Sequence, residues 1–267
     1  MKKIISLIKA CMTDNMSIFN LGKKNKTKAS KKFLPAFVTF ALFFSVWSYA
    51  NIMMEPLVEM HMEYVVLTLF ILITTILTLI EGIYKVSGLL FNCKDDNILF
   101  SLPIKKSTVL FIRIFKFYVF ELFYNSLFLI PAFVAYIRYV NVDTMFYIVS
   151  LVSLIVLPII PVVISCFIGG IIAFSSSKFK LKNIAQILIT IPFLLGILYV
   201  SYNIENIIKE LAQNATSINE LITKIYYPAG AYIKLITEFN TKDLVLFIAI
   251  HLAVFAAMVI VLRKSIF

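Results

Sequence analysis

Three ionisable side chains stand inside long apolar runs and are the first places to look for chemistry: Glu81, Glu121 and His251. A charge in hydrocarbon is costly, so such residues pair, face a cavity or carry function. Glu81 precedes Lys85 by four residues, a spacing that brings side chains together on a helix, here in the favourable order with the acid first. Glu121 lies near the start of its run, close to Lys116. Two readings are open for these carboxylates: paired groups that fix helix packing, or a gate or cation-handling site. His251 has no second histidine or carboxylate at ligand spacing, which suits a hydrogen-bonded packing residue better than a proton relay. Arg138 and Asp143 read as an interfacial anchor.

Motifs for covalent or metal chemistry do not occur. The chain has no GxxxxGK[ST] phosphate loop, no HExxH and no GxSxG, so nucleotide binding, zinc hydrolysis and serine-ester chemistry lack their usual carriers. No metal site is expected, because no CxxC or Cys/His cluster has ligand spacing. Of the three cysteines, Cys11 and Cys93 fall in expected cytoplasmic segments and Cys166 inside a span, so no disulfide framework is expected. The chain reads as a non-enzyme that binds no cofactor of its own.

A different stretch interrupts the apolar sequence: NCKDDNILFSLPIKKS, residues 92–107. Asp95 and Asp96 precede the apolar Ile98, Leu99, Phe100 and Leu102, and Pro103 separates these from Lys105 and Lys106. Proline cannot continue an upstream helix comfortably, so a short amphipathic segment ends there.

The elements that must position these residues are membrane helices. Of the 267 residues, 61% are hydrophobic and only 15% charged, against about 25% charged in soluble domains, and mean hydropathy is +0.96. Apolar runs of about 20 residues recur, the length that crosses a hydrocarbon core. The run VVLTLFILITTILTLI at 65–80 is apolar on every side, which excludes the alternating strands of a membrane barrel. The expected class is an all-α integral membrane protein. Six spans can be drawn, at 33–54, 64–84, 115–137, 145–174, 184–202 and 243–262. The fourth, with Pro158 and Pro161, should kink.

Charge placement orients them. Residues 1–32 hold nine lysines against Asp14 alone, the 85–116 region holds six basic residues, Lys178, Lys180 and Lys182 follow the fourth span, and Arg263 and Lys264 follow the last. Together these are 20 of the 25 basic residues, so by the positive-inside rule both termini are cytoplasmic. The net charge of +11 then expresses this bias and contact with anionic lipid, with no nucleic-acid partner expected. No secretory signal is expected in 1–32, where a short apolar patch is interrupted by Lys9. Residues 4–19 carry an apolar stripe at helical spacing and read as an interfacial helix. On the outer side, 203–242 reads as one or two short helices, either dipping into the outer leaflet or forming a solvated cap. The domain organisation is a basic cytoplasmic segment, 1–32, and one six-span domain, 33–267, with a cytoplasmic loop at 85–114 and an extracellular element at 203–242.

Lys94-Asp95-Asp96-Asn97-Ile98-Leu99, followed by Ser101-Leu102-Pro103-Ile104 and Lys105-Lys106-Ser107-Thr108, resembles the loop between the second and third spans of ABC-2 type permeases. More narrowly it is similar to ABC exporter permeases of low-GC Gram-positive bacteria. At motif level the resemblance covers about 92–116; in architecture it takes in the connecting helix at 4–19, the six spans with both termini inside, and the re-entrant helices at 203–242. It implies that Asp95, Asp96, Ile98, Leu99, Phe100, Leu102, Pro103, Lys105 and Lys106 form a coupling helix that docks on a separate ATPase subunit. ATP and magnesium would then sit on that partner, and the location would be a bacterial plasma membrane. Members of the narrower family commonly carry two six-span halves in one chain, so a second permease half, identical or not, is expected.

The function expected is thus the permease subunit of an ATP-driven exporter. Two alternatives of other classes stand beside it: a non-transporting scaffold or immunity protein, which has no need of the amphipathic SLP loop, and a secondary transporter, which would carry midplane sites and inverted repeats.

Overall fold

The computed structural model describes residues 30–86, 106–175 and 213–266, together with 195, 199, 202, 203, 206 and 210. The regular elements among them are helices: α1 (Ser30–Glu59), α2 (Tyr64–Val86), α3 (Lys106–Tyr139), α4 (Thr144–Val156), α5 (Ile159–Ser175), α6 (Ala215–Ile225), α7 (Tyr227–Thr237) and α8 (Thr241–Ile266). Five stretches are long and apolar enough to cross a membrane: Ala36–Glu59, Tyr64–Ile83, Thr108–Tyr139, Thr144–Ile171 and Thr241–Leu262. They correspond to five of the six expected spans. The remaining one, 184–202, lies largely outside the described residues; within it Leu195 and Tyr199 are helical.

The ends of the helices follow from local chemistry. After α1, His61 adopts a left-handed conformation, φ 54°. Its N–H bonds to Val58 O at 3.0 Å and that of Met62 to Leu57 O at 2.9 Å, which closes the helix in a Schellman motif with Met62 packed near Leu57. Asp143 caps α4 by accepting from Thr144 N at 2.7 Å. The fourth span breaks between α4 and α5 at Leu157 and Pro158, as the missing proline donor requires.

α3 departs from the expected boundary. It starts at Lys106, not at 115, and runs for 34 residues, a length of ~51 Å at 1.5 Å per residue. The expected loop at 85–114 is therefore helical at both described edges, 85–86 and 106–114. The physical reason is that charge ends a membrane span, but only a breaker ends a helix. Arg113 and Lys116 interrupt the apolar run without ending the helix, and Pro103 is the first residue upstream whose type would stop it.

α2 is the central helix. It packs against α5, α3, α6 and α7, with Val65, Val66, Leu67, Phe70 and Ile71 in the core. Two glycines let α2 and α5 approach. A Cβ on Gly82 would stand 2.7 Å from Ser165 Cβ, and one on Gly169 2.8 Å from Val86 Cβ. In a membrane, where lipid is as apolar as leucine, such small-residue contacts are what bring helices together. The short helices α6 and α7 fill the end where α1 meets α2 and α3 meets α4. Ala229, Tyr232, Ile233 and Leu235 of α7 are buried in the main core. Tyr232 Oη lies 3.0 Å from Ser150 Oγ, and the Thr68 hydroxyl donates to Asn219 Oδ1 at 2.9 Å. Within the expected element at 203–242 the structure thus describes two short helices, of which α7 is packed into the bundle.

Candidate functional site

Of the residues in the coupling stretch, Asp95, Asp96, Ile98, Leu99, Phe100, Leu102, Pro103 and Lys105 lie outside the described residues, and Lys106 opens α3. The site that can be built from geometry is the intramembrane one around Glu81 and Glu121.

Helical spacing assembles it. On α2, Thr74, Thr78, Glu81 and Lys85 follow one another at steps of four, three and four residues, which keeps them on one face; on α3, Glu121, Asn125 and Phe128 do the same. The two stripes face each other. Asn125 Nδ2 donates to Thr78 Oγ1 at 2.8 Å and to Glu121 O at 2.9 Å. Lys85 forms an ion pair with Glu81 and places Nζ 3.6 Å from Glu121 Oε1. The same Nζ stands over two rings, 3.6 Å from the Phe120 centroid and 4.8 Å from that of Tyr124. A cation held between two carboxylates and two aromatic faces is stabilised by both charge and ring quadrupole.

Glu121 is the unusual member. It is 0% exposed, and neither carboxylate oxygen has a hydrogen-bond partner among the described residues. The charged groups acting on it are Lys85, which attracts, and Glu81, which repels. Beside it lies a half-open cavity of about 280 Å³ between α1, α2 and α3. Leu42, Leu77, Ile80 and Phe128 form its apolar walls, and Glu81, Glu121 and Asn125 its polar side.

α5 supports the arrangement from behind. Ser165 Oγ donates to Pro161 O at 2.8 Å, with Thr78 O 3.3 Å away, so the α2 turn that carries Thr78 rests on α5. His251 is elsewhere, on α8. It is 0% exposed, its Nδ1 lies 2.7 Å from Phe247 O, and its ring tilts against the Phe247 ring with centroids 4.5 Å apart. Arg138 and Asp143 do not meet as partners; Arg138 Nη1 donates to Asn51 Oδ1 at 3.5 Å, while Asp143 caps α4. Among the described residues no three of His, Cys, Asp or Glu gather as metal ligands.

Sequence reasoning named Glu81, Glu121 and Lys85 but missed Asn125, Thr78 and Tyr124. The signal was present: Asn125 follows Glu121 by four residues, and Thr78 precedes Glu81 by three. The signal lies in polar stripes at helical spacing, which single residues do not show.

Residues 29–260 match the model of the family described as "Putative ATP-binding cassette". The chain matches no curated protein and no solved structure. The matched region takes in all five spanning stretches but for the last two residues of the last. The chain is accordingly a helical, membrane-spanning member of that ATP-binding cassette family.

Proposed function

We propose that the chain is the transmembrane permease subunit of an ATP-driven exporter of the ABC-2 type. The observation that carries this reading is where the family match falls. It covers the spanning helices themselves, in a sequence without a phosphate-binding loop. A match of that family to membrane helices, in a chain without a phosphate-binding loop, supports a role in the pathway with ATP hydrolysed by another subunit.

In this reading both termini and the 92–106 stretch face the cytoplasm of a bacterial cell, and α6 and α7 lie on the outside. Asp95, Asp96, Lys105 and Lys106 keep the short apolar face of Ile98, Leu99, Phe100 and Leu102 soluble until it docks on the ATPase. A second permease half completes the pathway. The spanning windows of α1 and α8 are each only 17% buried, against 56% for α2 and for the α4–α5 span, which leaves apolar faces on α1 and α8 for lipid and for that second half.

The test is a double replacement, Leu99→Asp with Phe100→Asp. Two carboxylates on a docking face of this size should abolish co-purification of the ATPase and transport, while membrane insertion is unchanged. A double mutant that inserts, still brings down its ATPase and still transports would remove the coupling assignment.

A further inference from the structure

The cavity beside Glu121 has a chemistry that the permease reading does not require. We propose that it binds an amphiphilic monocation: a single ammonium head carried on a small apolar body.

The charge count comes first. Two carboxylates, Glu81 and Glu121, face one ammonium, Lys85, and these are the charged groups that act on Glu121. Lys85 is committed to Glu81, with which it makes its closer contact. At 3.6 Å from Glu121 Oε1 it stands beyond a good hydrogen bond. With both carboxylates ionised, the cluster carries one negative charge more than Lys85 neutralises. A buried carboxylate that must share its one cationic partner is costly in a protein interior, and Glu121 has beside it only the shared Lys85 ammonium and the Thr78 hydroxyl.

The second observation is the cavity itself. Glu121 is fully buried from solvent yet lines this space, together with the apolar Leu42, Leu77, Ile80 and Phe128. One polar edge and otherwise greasy walls fit a head-and-body ligand, with the head at Glu121 and the body against α1 and α2. The cavity, about 280 Å³ and open on one side, has room for a small aralkyl or alkyl amine.

The third is that the site already handles such a group. The Lys85 ammonium sits over the faces of Phe120 and Tyr124, and Tyr124 also lines the cavity. A second ammonium at Glu121 would meet the same kind of surroundings: a carboxylate, an aromatic wall and the amide of Asn125.

The test uses the full chain in lipid nanodiscs, without ATP or an ATPase, so its result stands apart from the transport reading. The probe is radiolabelled phenethylammonium, with its neutral counterpart 2-phenylethanol as control, and empty nanodiscs give the background partitioning. The wild-type chain should bind phenethylammonium saturably and 2-phenylethanol no better than empty nanodiscs do. Glu121→Gln should weaken the cation at least tenfold. Glu81→Gln should do the same, because it frees Lys85 to neutralise Glu121. Lys85→Met should have the opposite sign and tighten binding, because it removes the competing internal ammonium. If Glu121→Gln fails to insert, Glu81→Gln and Lys85→Met still carry opposite expectations. Binding at background level, affinity indifferent to Glu81 and Glu121, or weaker binding in Lys85→Met would each overturn the proposal. The last two would mean that Glu121 is simply held neutral by a proton.

Discussion

Gly82→Ala should loosen the bundle at the contact between α2 and α5. A Cβ at this position would lie 2.5 Å from Ser165 Oγ, 2.7 Å from Ser165 Cβ and 3.0 Å from Phe117 Cζ, where carbon atoms prefer about 3.5–4.0 Å. Rotating Ser165 moves Oγ but not Cβ, so the clash is relieved only if the two helices separate by roughly 1 Å. Overpacking of this kind costs about 1–3 kcal/mol. Opposing it is the helix preference of alanine over glycine, worth up to about 1 kcal/mol. Separation also strains the Ser165 contacts to Pro161 O and Thr78 O, so the net expected loss is about 2 kcal/mol, or ~30-fold in the folding equilibrium. Denaturation in detergent, followed by the fluorescence of the single tryptophan, Trp47, reads it directly. The reciprocal change is the sharper part. Ser165→Gly removes the two closest of these three atoms, so the double variant Gly82→Ala with Ser165→Gly should recover most of what Gly82→Ala loses. Contacting residues are expected to show such coupling. A Gly82→Ala protein as stable as wild type, or a double variant no better than Gly82→Ala alone, would refute the described approach of α2 to α5.

Three further outcomes follow from local geometry. His61→Gly should stabilise the protein by about 1 kcal/mol, because a left-handed conformation costs an ordinary L-residue 1–2 kcal/mol and φ at His61 is 54°; thermal unfolding checks it. Asn125→Ala should cost about 0.6–1.7 kcal/mol, from the mean to the maximum for hydrogen bonds between membrane helices, since it removes the 2.8 Å bond to Thr78; Asn125→Asp should not restore wild-type stability, because a carboxylate cannot donate to the Glu121 carbonyl as Asn125 does. Asp243, 2.9 Å away, raises the Lys234 pKa from its ordinary 10.5 through a hydrogen bond and direct attraction. A raised folded-state value means that the pair's contribution is complete below the ordinary pKa and is lost as pH climbs through the raised one, so wild type and Lys234→Gln should differ in stability at neutral pH and converge in strong alkali.

What was legible in the sequence was what the bilayer enforces. Runs such as 65–80 must be helical because hydrocarbon leaves backbone groups no other partner, and Pro158 breaks the fourth span where its missing donor falls. The start of α3 was misplaced because a hydropathy reading ends at Arg113 and Lys116, whereas the helix continues through them to Lys106. At the candidate site, Glu81 with Lys85 was readable because the pair is local. The meeting of Glu121 and Asn125 with Lys85 and Thr78 was not, since it depends on which faces of α2 and α3 are turned together. The role of Gly82 is not legible in the sequence for the same reason: it is set by Ser165, which lies on another helix.

The central claim is that this chain supplies membrane helices to a machine whose ATP is hydrolysed elsewhere. It is tested most directly by measuring ATP hydrolysis with the purified chain in nanodiscs, alone and after addition of any ATPase found to co-purify with it. The account predicts no hydrolysis above empty nanodiscs for the chain alone, and hydrolysis that appears only with the second subunit and disappears again with Leu99→Asp and Phe100→Asp. Hydrolysis by the chain alone, free of any other polypeptide, would contradict it.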